Sequence, residues 1–339
     1  MTIKPIHEVM DALVSYDLII DARSPLEYEF SHIPHSQNYF ALSNEEHKEV
    51  GTLYKNISRN RAKIMGASYI CANVSRHLHE IFAQYPIGSN IAIYCARGGL
   101  RSHSIATILD NVGYRVTKVE TGYKAYRNYV LDYLEKLPEQ PFITLFGNTG
   151  AGKSDLLVKL NPVLDLEGLA NHYGSVFGSV KGKQPSTKWF QNQLVHQLLD
   201  LQKQKRYCFV EGESRKIGSL SLPKPLYEAM YQGIKVEIIS SLESRVARIM
   251  RDYEEVDPAF FALCMKRIHP FIASTVKLDI IKAFESGDLA KTAELLLVEY
   301  YDKVYKKPRD IDKTIYHVDE EETLCTLRQL EVDASKSLA

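Results

Sequence analysis

Phe142-Ile143-Thr144-Leu145-Phe146-Gly147-Asn148-Thr149-Gly150-Ala151-Gly152-Lys153-Ser154 decides the architecture of the second half of this 339-residue chain. An apolar run of strand length is followed by Gly-x4-Gly-Lys-Ser and then by a helix-like stretch from Lys153 to Leu160. This is the strand–loop–helix context that a P-loop requires. Gly147, Gly150 and Gly152 let the backbone close round an anion, and N–H groups at the helix N-terminus hold phosphate oxygens. Lys153 is expected to reach the outer phosphate and Ser154 to ligate Mg²⁺.

Working outward, the acidic partner of such a loop is expected at the end of a neighbouring strand. Tyr207-Cys208-Phe209-Val210-Glu211-Gly212-Glu213-Ser214-Arg215 supplies Glu211, with Glu213 and Arg215 as further candidates. A carboxylate here would act on Mg²⁺ with Ser154, or orient a nucleophile. Ser240-Ser241-Leu242-Glu243 reads as a capping box that starts a helix. Arg245, Arg248 and Arg251 follow at i, i+3 and i+6, a basic stripe on one helical face. Arg245 and Arg248 are expected to clamp a diphosphate. RNA backbone and a plain solvated face are the alternatives, the latter weighing most on Arg251.

A second reactive loop lies upstream, in Tyr94-Cys95-Ala96-Arg97-Gly98-Gly99-Leu100-Arg101-Ser102. A cysteine at a strand end, turning tightly into a helix, sits where backbone N–H groups favour thiolate. Arg97 and Arg101 add fixed positive charge, and the two glycines allow an anion nest. Such a loop suits a persulfide, a perselenide or a bound phosphate.

Apolar residues make up 45% and charged residues 25%, as in ordinary globular proteins, and the length favours two domains. Lys+Arg and Asp+Glu both number 42, so any nucleic-acid surface must be a local patch. The N-terminal residues lack a signal-peptide core, and no stretch nears the ~18 apolar residues of a membrane span. Five cysteines without a CxxC pair read as reduced thiols, which points to the cytoplasm.

Strands are expected over Leu18–Arg23, Asn90–Cys95 and Val116–Glu120, with helices over His77–Tyr85 and Ser102–Val112, the latter closed by Gly113. A second alternation has strands at Phe142–Phe146, Val163–Leu166, Tyr207–Val210, Val236–Ile239 and Ile315–Val318. The helix Lys124–Lys136 and the turn Leu137-Pro138-Glu139-Gln140-Pro141 mark the boundary. The expected fold is therefore α/β with two parallel-sheet domains, 1–136 and 137–339, the second with helical additions.

Asp21-Ala22-Arg23-Ser24-Pro25-Leu26-Glu27-Tyr28-Glu29-Phe30-Ser31-His32-Ile33-Pro34 resembles the early D-x-R-x-x-x-E-[FY]-x-x-x-H-I-P signature of the rhodanese family. Thr121-Gly122-Tyr123-Lys124-Ala125-Tyr126 resembles its closing G-G-[YF]-x-A-[WF] motif, with Thr121 for the first glycine. Asp21 is expected to bond backbone and His32-Ile33-Pro34 to be a packed turn, neither taking part in chemistry. The spacing from Cys95 to Arg101 also fits cysteine phosphatases, although Tyr94 stands where those usually carry His.

Asp165-Leu166-Glu167-Gly168-Leu169-Ala170-Asn171-His172-Tyr173-Gly174, Glu211-Gly212-Glu213-Ser214-Arg215 and Tyr300-Tyr301-Asp302-Lys303-Val304-Tyr305 extend the likeness. With the two loops, they make the chain similar to the tRNA 2-selenouridine synthase family, a rhodanese-like domain fused to a P-loop NTPase-like domain. The resemblance implies geranylation of the sulfur of wobble 2-thiouridine by geranyl diphosphate, then replacement by selenium from selenophosphate. Cys95 would carry the selenium as a perselenide, and the P-loop would bind the diphosphate of the prenyl donor. No tightly bound cofactor is expected. The implied partners are tRNA carrying 2-thiouridine and the selenophosphate-producing enzyme, with no membrane. Lys181, Lys183, Lys188, Trp189, Arg215 and Lys216 offer charge and one aromatic for RNA. Two rivals compete: a sulfurtransferase or phosphatase fused to a small-molecule P-loop kinase, and a non-enzymatic rhodanese-like scaffold.

Overall fold

Apolar runs separated by helices build one parallel sheet in each half of the chain. The computed structural model describes residues 1–137, 139–212, 214–253, 256–306 and 308–338, apart from the side chains of Val180 and Lys181. Met1–Tyr133 together with Lys188–Val195 form one unit, and Leu134–Thr187 with His196–Ala339 form the other.

The first unit holds β1 (Thr2–Lys4), β2 (Leu18–Asp21), β3 (Gln37–Asn38), β4 (Asn90–Tyr94) and β5 (Arg115–Val119). Their order is β1-β5-β4-β2-β3, all parallel. β2 is buried throughout and β4 after its first residue, as expected of strands covered on both faces. The helix Leu100–Val112 ends on Gly113 at φ 111°, the left-handed conformation that glycine adopts most readily. The stretch His77–Tyr85 proves to be the end of a much longer helix, Arg59–Gln84. Its first half buries Ala62 and Gly66, residues too small to announce an apolar face in sequence. β1 and β3 also escape sequence reading, because two or three residues are too few to show a period.

The segment Lys188–Val195 lies in the second half by sequence yet packs with the first unit. Buried Asn192 donates to His32 O at 2.7 Å and to Ser31 Oγ at 3.0 Å. Trp189 packs on the ring of His32, which itself stacks on Tyr28.

The second unit holds β6 (Phe142–Phe146), β7 (Val163–Leu164), β8 (Cys208–Glu211), the small hairpin β9 (Lys216–Ile217) and β10 (Leu220–Ser221), β11 (Ile234–Ile239) and β12 (Lys313–Tyr316). The main sheet runs β12-β11-β6-β8-β7, again all parallel, with β6 in the centre. Between β11 and β12 the helices Leu242–Asp252, Pro258–Ile268, Ser274–Glu285 and Leu289–Leu296 add a core of their own around Phe261, Met265, Ile268, Ile280 and Leu296. The helix after β11 is capped one residue later than its sequence suggests. Ser241 accepts from Ser244 N at 3.2 Å, while Ser240 Oγ donates to Ala151 O at 2.9 Å. Among the described residues no helix is long and apolar enough to cross a membrane.

Candidate active site

Cys95 follows β4 directly, and the turn Ala96–Gly99 leads into the helix Leu100–Val112. The thiol is 2% exposed, so a reactant must enter the loop to meet it. Ser102 Oγ donates to Cys95 Sγ at 3.1 Å. The turn is held from behind by the start of the helix Gly122–Glu135, where Tyr123 N donates to Cys95 O at 2.8 Å and Lys124 N to Ala96 O at 3.1 Å. Gly122 has φ 58°, and a Cβ there would lie 2.1 Å from Cys95 O, so only glycine fits. Thr121, beside it, also has positive φ, 57°. This explains why the motif asks for glycine where this chain carries a β-branched residue.

The two arginines of this loop are placed differently. Arg101 does not present its charge to the sulfur alone, because Arg101 Nη1 binds Glu27 Oε2 at 2.7 Å. Burial works against the Glu27 charge, but the hydrogen bond and charge of Arg101 outweigh it and hold this carboxyl below its usual range. Arg97 is exposed on the turn. Tyr94 is fully buried, and its hydroxyl accepts from Ile33 N at 3.0 Å and bonds Ser36 Oγ at 2.9 Å. The tyrosine therefore fixes the His32-Ile33-Pro34 turn. Asp21 accepts from Arg23 N at 2.9 Å and pairs with its guanidinium, which lies 3.8 Å over the Tyr123 ring. As expected, Asp21 is structural.

In the second unit, β6 runs into the P-loop and the helix Lys153–Val158 starts at its end. Gly147 has φ 152°, and a Cβ would lie 2.4 Å from Ile238 O, so the loop presses against β11. Lys153 Nζ donates to Gly147 O at 2.9 Å, and Tyr305 OH accepts from Gly147 N at 2.8 Å. Ser154 Oγ donates to Glu211 Oε1 at 2.6 Å, with Glu167 Oε2 at 3.5 Å. Both carboxylates are buried, Glu211 at the end of β8 as sequence reading expects. Burial pushes the Glu211 carboxyl up, and the Lys153 ammonium pulls it partly back.

A cleft of about 520 Å³ opens over this loop, lined by Gly147, Gly150, Gly152, Lys153, Ser154, Glu167, Glu211 and Arg248 among others. Arg248 Nη1 donates to Gly150 O at 3.1 Å and Ser240 Oγ at 3.2 Å, so its guanidinium lies beside the P-loop in the cleft. Arg245 is a correction. It is buried, donates to Thr149 O at 2.9 Å and grips Asp302 with both terminal nitrogens, and so supports the loop from outside the cleft. Arg251 is exposed and paired with Asp155 and Asp252. Arg215 is exposed beside the β9–β10 hairpin and does not line the cleft, and Glu213 lies outside the described residues. Lys183, Lys188 and Lys216 are exposed, and the Lys181 side chain is not among those described.

Sequence reading missed the partners that arrive from far along the chain: Glu27 for Arg101, Asp302 for Arg245, and Tyr305 for Gly147. Tyr300–Tyr305 was visible as a polar, aromatic motif, but its hydrogen bonds were not. His317 was missed as well. It sits beside Gly152, its Nδ1 bonds Thr323 Oγ1 at 3.1 Å, and burial and Arg248 hold its pKa below the usual value.

Two family models match successive parts of the chain: the rhodanese-like domain over residues 6–129, and the tRNA 2-selenouridine synthase AAA domain over residues 140–267. The tRNA 2-selenouridine synthase of Shewanella halifaxensis (strain HAW-EB4) is 32% identical over 338 residues, covering 89% of this chain and 92% of the relative. The tRNA 2-selenouridine synthase of Pseudomonas putida (strain W619) is 35% identical over 327 residues, covering 86% and 89%. Among solved structures, the N-terminal domain of a proposed ATP/GTP binding protein from Clostridium difficile 630 aligns at 39% identity with a TM-score of 0.34, covering 38% of this chain and 99% of that one.

Proposed function

The chain belongs to the tRNA 2-selenouridine synthase family, a group of tRNA-modifying transferases, and from that premise we propose that it acts on wobble 2-thiouridine in two transfers. The observation that carries this reading is the presence in one chain of a Cys95 loop and a P-loop with Lys153, Ser154 and Glu211 assembled round it.

In the first transfer, geranyl diphosphate is held by the P-loop. The 2-thiouridine sulfur forms a bond to C1 of the geranyl group. The C1–O bond breaks, diphosphate leaves with the electron pair, and the N3 proton is lost. Alkylation turns a poor leaving group into a good one. Lys153 and Arg248 stabilise charge that grows on the departing diphosphate, an effect strongest in a site shielded from water. Ser154 and Glu211, whose oxygens lie 2.6 Å apart, would hold Mg²⁺ through hard oxygen ligands of the kind it prefers. The ion would add charge neutralisation at the leaving group.

In the second transfer, water takes the phosphoryl group of selenophosphate, the P–Se bond breaks and phosphate leaves, and the freed selenium bonds to C2 as geranylthiolate leaves. Cys95 carries this selenium as a perselenide, with the Ser102 hydroxyl as a donor beside it. A disulfide accepts the two electrons released as selenide bonds to the Cys95 sulfur, and a dithiol returns them when the S–Se bond breaks after the selenium has bonded C2. The wobble base lies in a single-stranded loop, where splaying it out costs less than flipping from a duplex.

The test is incubation of the protein with 2-thiouridine tRNA, geranyl diphosphate and selenophosphate, followed by mass spectrometry of the nucleosides. S-geranyl-2-thiouridine should appear without selenophosphate and 2-selenouridine with it. Turnover of ATP without tRNA, and no modified nucleoside, would overturn the reading.

A further inference from the structure

Beside the P-loop cleft lies a second cavity of different character. Its volume is about 70 Å³, room for roughly five water-sized groups. Its wall comes from the helical addition, with Phe261, Phe284, Leu289, Ala293 and Leu296 prominent, and none of its lining residues is charged or carries an amide side chain. Thr149, Ser175, Ile249, Tyr253 and Tyr301 line both the cavity and the cleft, so the two spaces adjoin. Thr149 belongs to the P-loop itself, and Ile249 follows Arg248 on the helix Leu242–Asp252. One loop and one helix thus present phosphate ligands on one side and apolar surface on the other.

This arrangement says what the diphosphate is attached to. A nucleobase has donors and acceptors on its edges, and beyond the residues shared with the cleft the one hydroxyl in this wall, Thr292 Oγ1, already donates to Asp288 O, so those edges would be buried unpaired at high cost. A hydrocarbon loses nothing there. Among the lining residues not shared with the cleft, the rings of Phe261 and Phe284 are stacked in parallel with centroids 3.7 Å apart, and Ala293 is small and buried.

We propose that this cavity receives the terminal five-carbon unit of an isoprenoid diphosphate held by the P-loop, and that the Phe261–Phe284 stack with Ala293 sets the chain length accepted. This assignment rests on the prenyl-transfer reading above and adds its specificity device. Ala293→Phe fills the space that the last unit takes. Phe284→Ala removes one of the two stacked rings and enlarges the cavity.

The experiment gives full-length protein 2-thiouridine tRNA and, in separate reactions, the C5, C10 and C15 prenyl diphosphates, and reads KM and kcat for each S-prenyl product. The wild type should prefer C10. Ala293→Phe should raise the C10 KM at least tenfold while the C5 donor is little affected. Phe284→Ala should shift preference toward C15, with Phe284→Leu as a milder version should the alanine variant fold poorly. Unchanged chain-length preference in Ala293→Phe and in a folded Phe284 variant, with prenyl transfer intact, would place the tail elsewhere and overturn the proposal. Failure of the wild type to transfer any of the three would instead overturn the prenyl-transfer reading. ATP competing with the C10 donor as strongly as unlabelled C10 itself would also count against an apolar tail site.

Discussion

Arg245 Nη1 and Nη2 meet the two carboxylate oxygens of Asp302 at 2.9 and 2.6 Å, a forked pair that braces the P-loop from outside its cleft. The same arginine holds Thr149 O, and the same aspartate accepts from Asn148 Nδ2 at 2.9 Å. Two residues of the phosphate loop are thereby tied to a segment about 150 positions downstream.

The brace predicts coupled losses. Arg245→Ala and Asp302→Ala should each destabilise the protein by about 2 kcal/mol, since a charged hydrogen-bond partner is left behind. The double variant should cost clearly less than the sum, with a coupling of about 1–3 kcal/mol. Urea unfolding of the three proteins measures this, and additive effects would dismiss the brace. Arg248→Ala, by contrast, should raise the KM for the diphosphate donor with little change in stability.

The two transfers should separate genetically. Cys95→Ala should abolish selenium insertion and leave S-geranyl tRNA accumulating, because only the second step needs a chalcogen carrier. Lys153→Ala should lower geranyl transfer by roughly 10²-fold, the usual loss for one charge-stabilising contact, yet still convert S-geranyl tRNA supplied to it. Nucleoside mass spectrometry reads both variants. Normal 2-selenouridine from Cys95→Ala would remove the proposed carrier.

Thr121→Gly should stabilise the first unit. Thr121 holds φ at 57°, a conformation that costs a β-branched residue about 1 kcal/mol or more and costs glycine little. Some of that gain is returned through the greater freedom of glycine in the unfolded chain. A net gain of about 0.5–1 kcal/mol in chemical denaturation is expected, and a loss would show that the threonine side chain has a contact outweighing its strain.

Glu27 should make stability depend on acid. Its folded pKa is depressed, so its contribution is complete above the unfolded carboxyl value, about pH 4.3, and is lost as pH falls through the folded value. Wild type should exceed Glu27→Gln by about 1 kcal/mol at pH 7, and the gap should close in the range below about pH 4. A gap that stays the same at pH 3 would mean that the glutamine loses packing and not the ion pair with Arg101.

How far sequence reading reached depended on how local each signal is. β6 matched residue for residue, because a fully apolar run and the glycine pattern after it are read within a dozen positions. The helix after β11 is legible in sequence, but its cap is Ser241, one residue later than the Ser240–Glu243 pattern indicates. Which of two adjacent serines caps depends on where Ser240 finds a partner, and that partner is Ala151 O in the P-loop. Arg245 and Arg248 are alike in sequence, three positions apart on one helical face. Only the arrival of Asp302 distinguishes them, turning one to a brace and leaving the other at the cleft.

The sequence by itself determined the two parallel sheets, the Cys95 loop, the P-loop and the acidic partner Glu211, because each is written in spacing along a few neighbouring residues. The tertiary structure alone decided that Glu27 takes Arg101, that Asp302 takes Arg245, that Lys188–Val195 packs with the first unit, and that an apolar cavity adjoins the P-loop cleft. These are pairings between segments tens to well over a hundred residues apart. Which distant groups meet is settled by how whole sheets and helices bury their apolar faces, and no local pattern of residues encodes that.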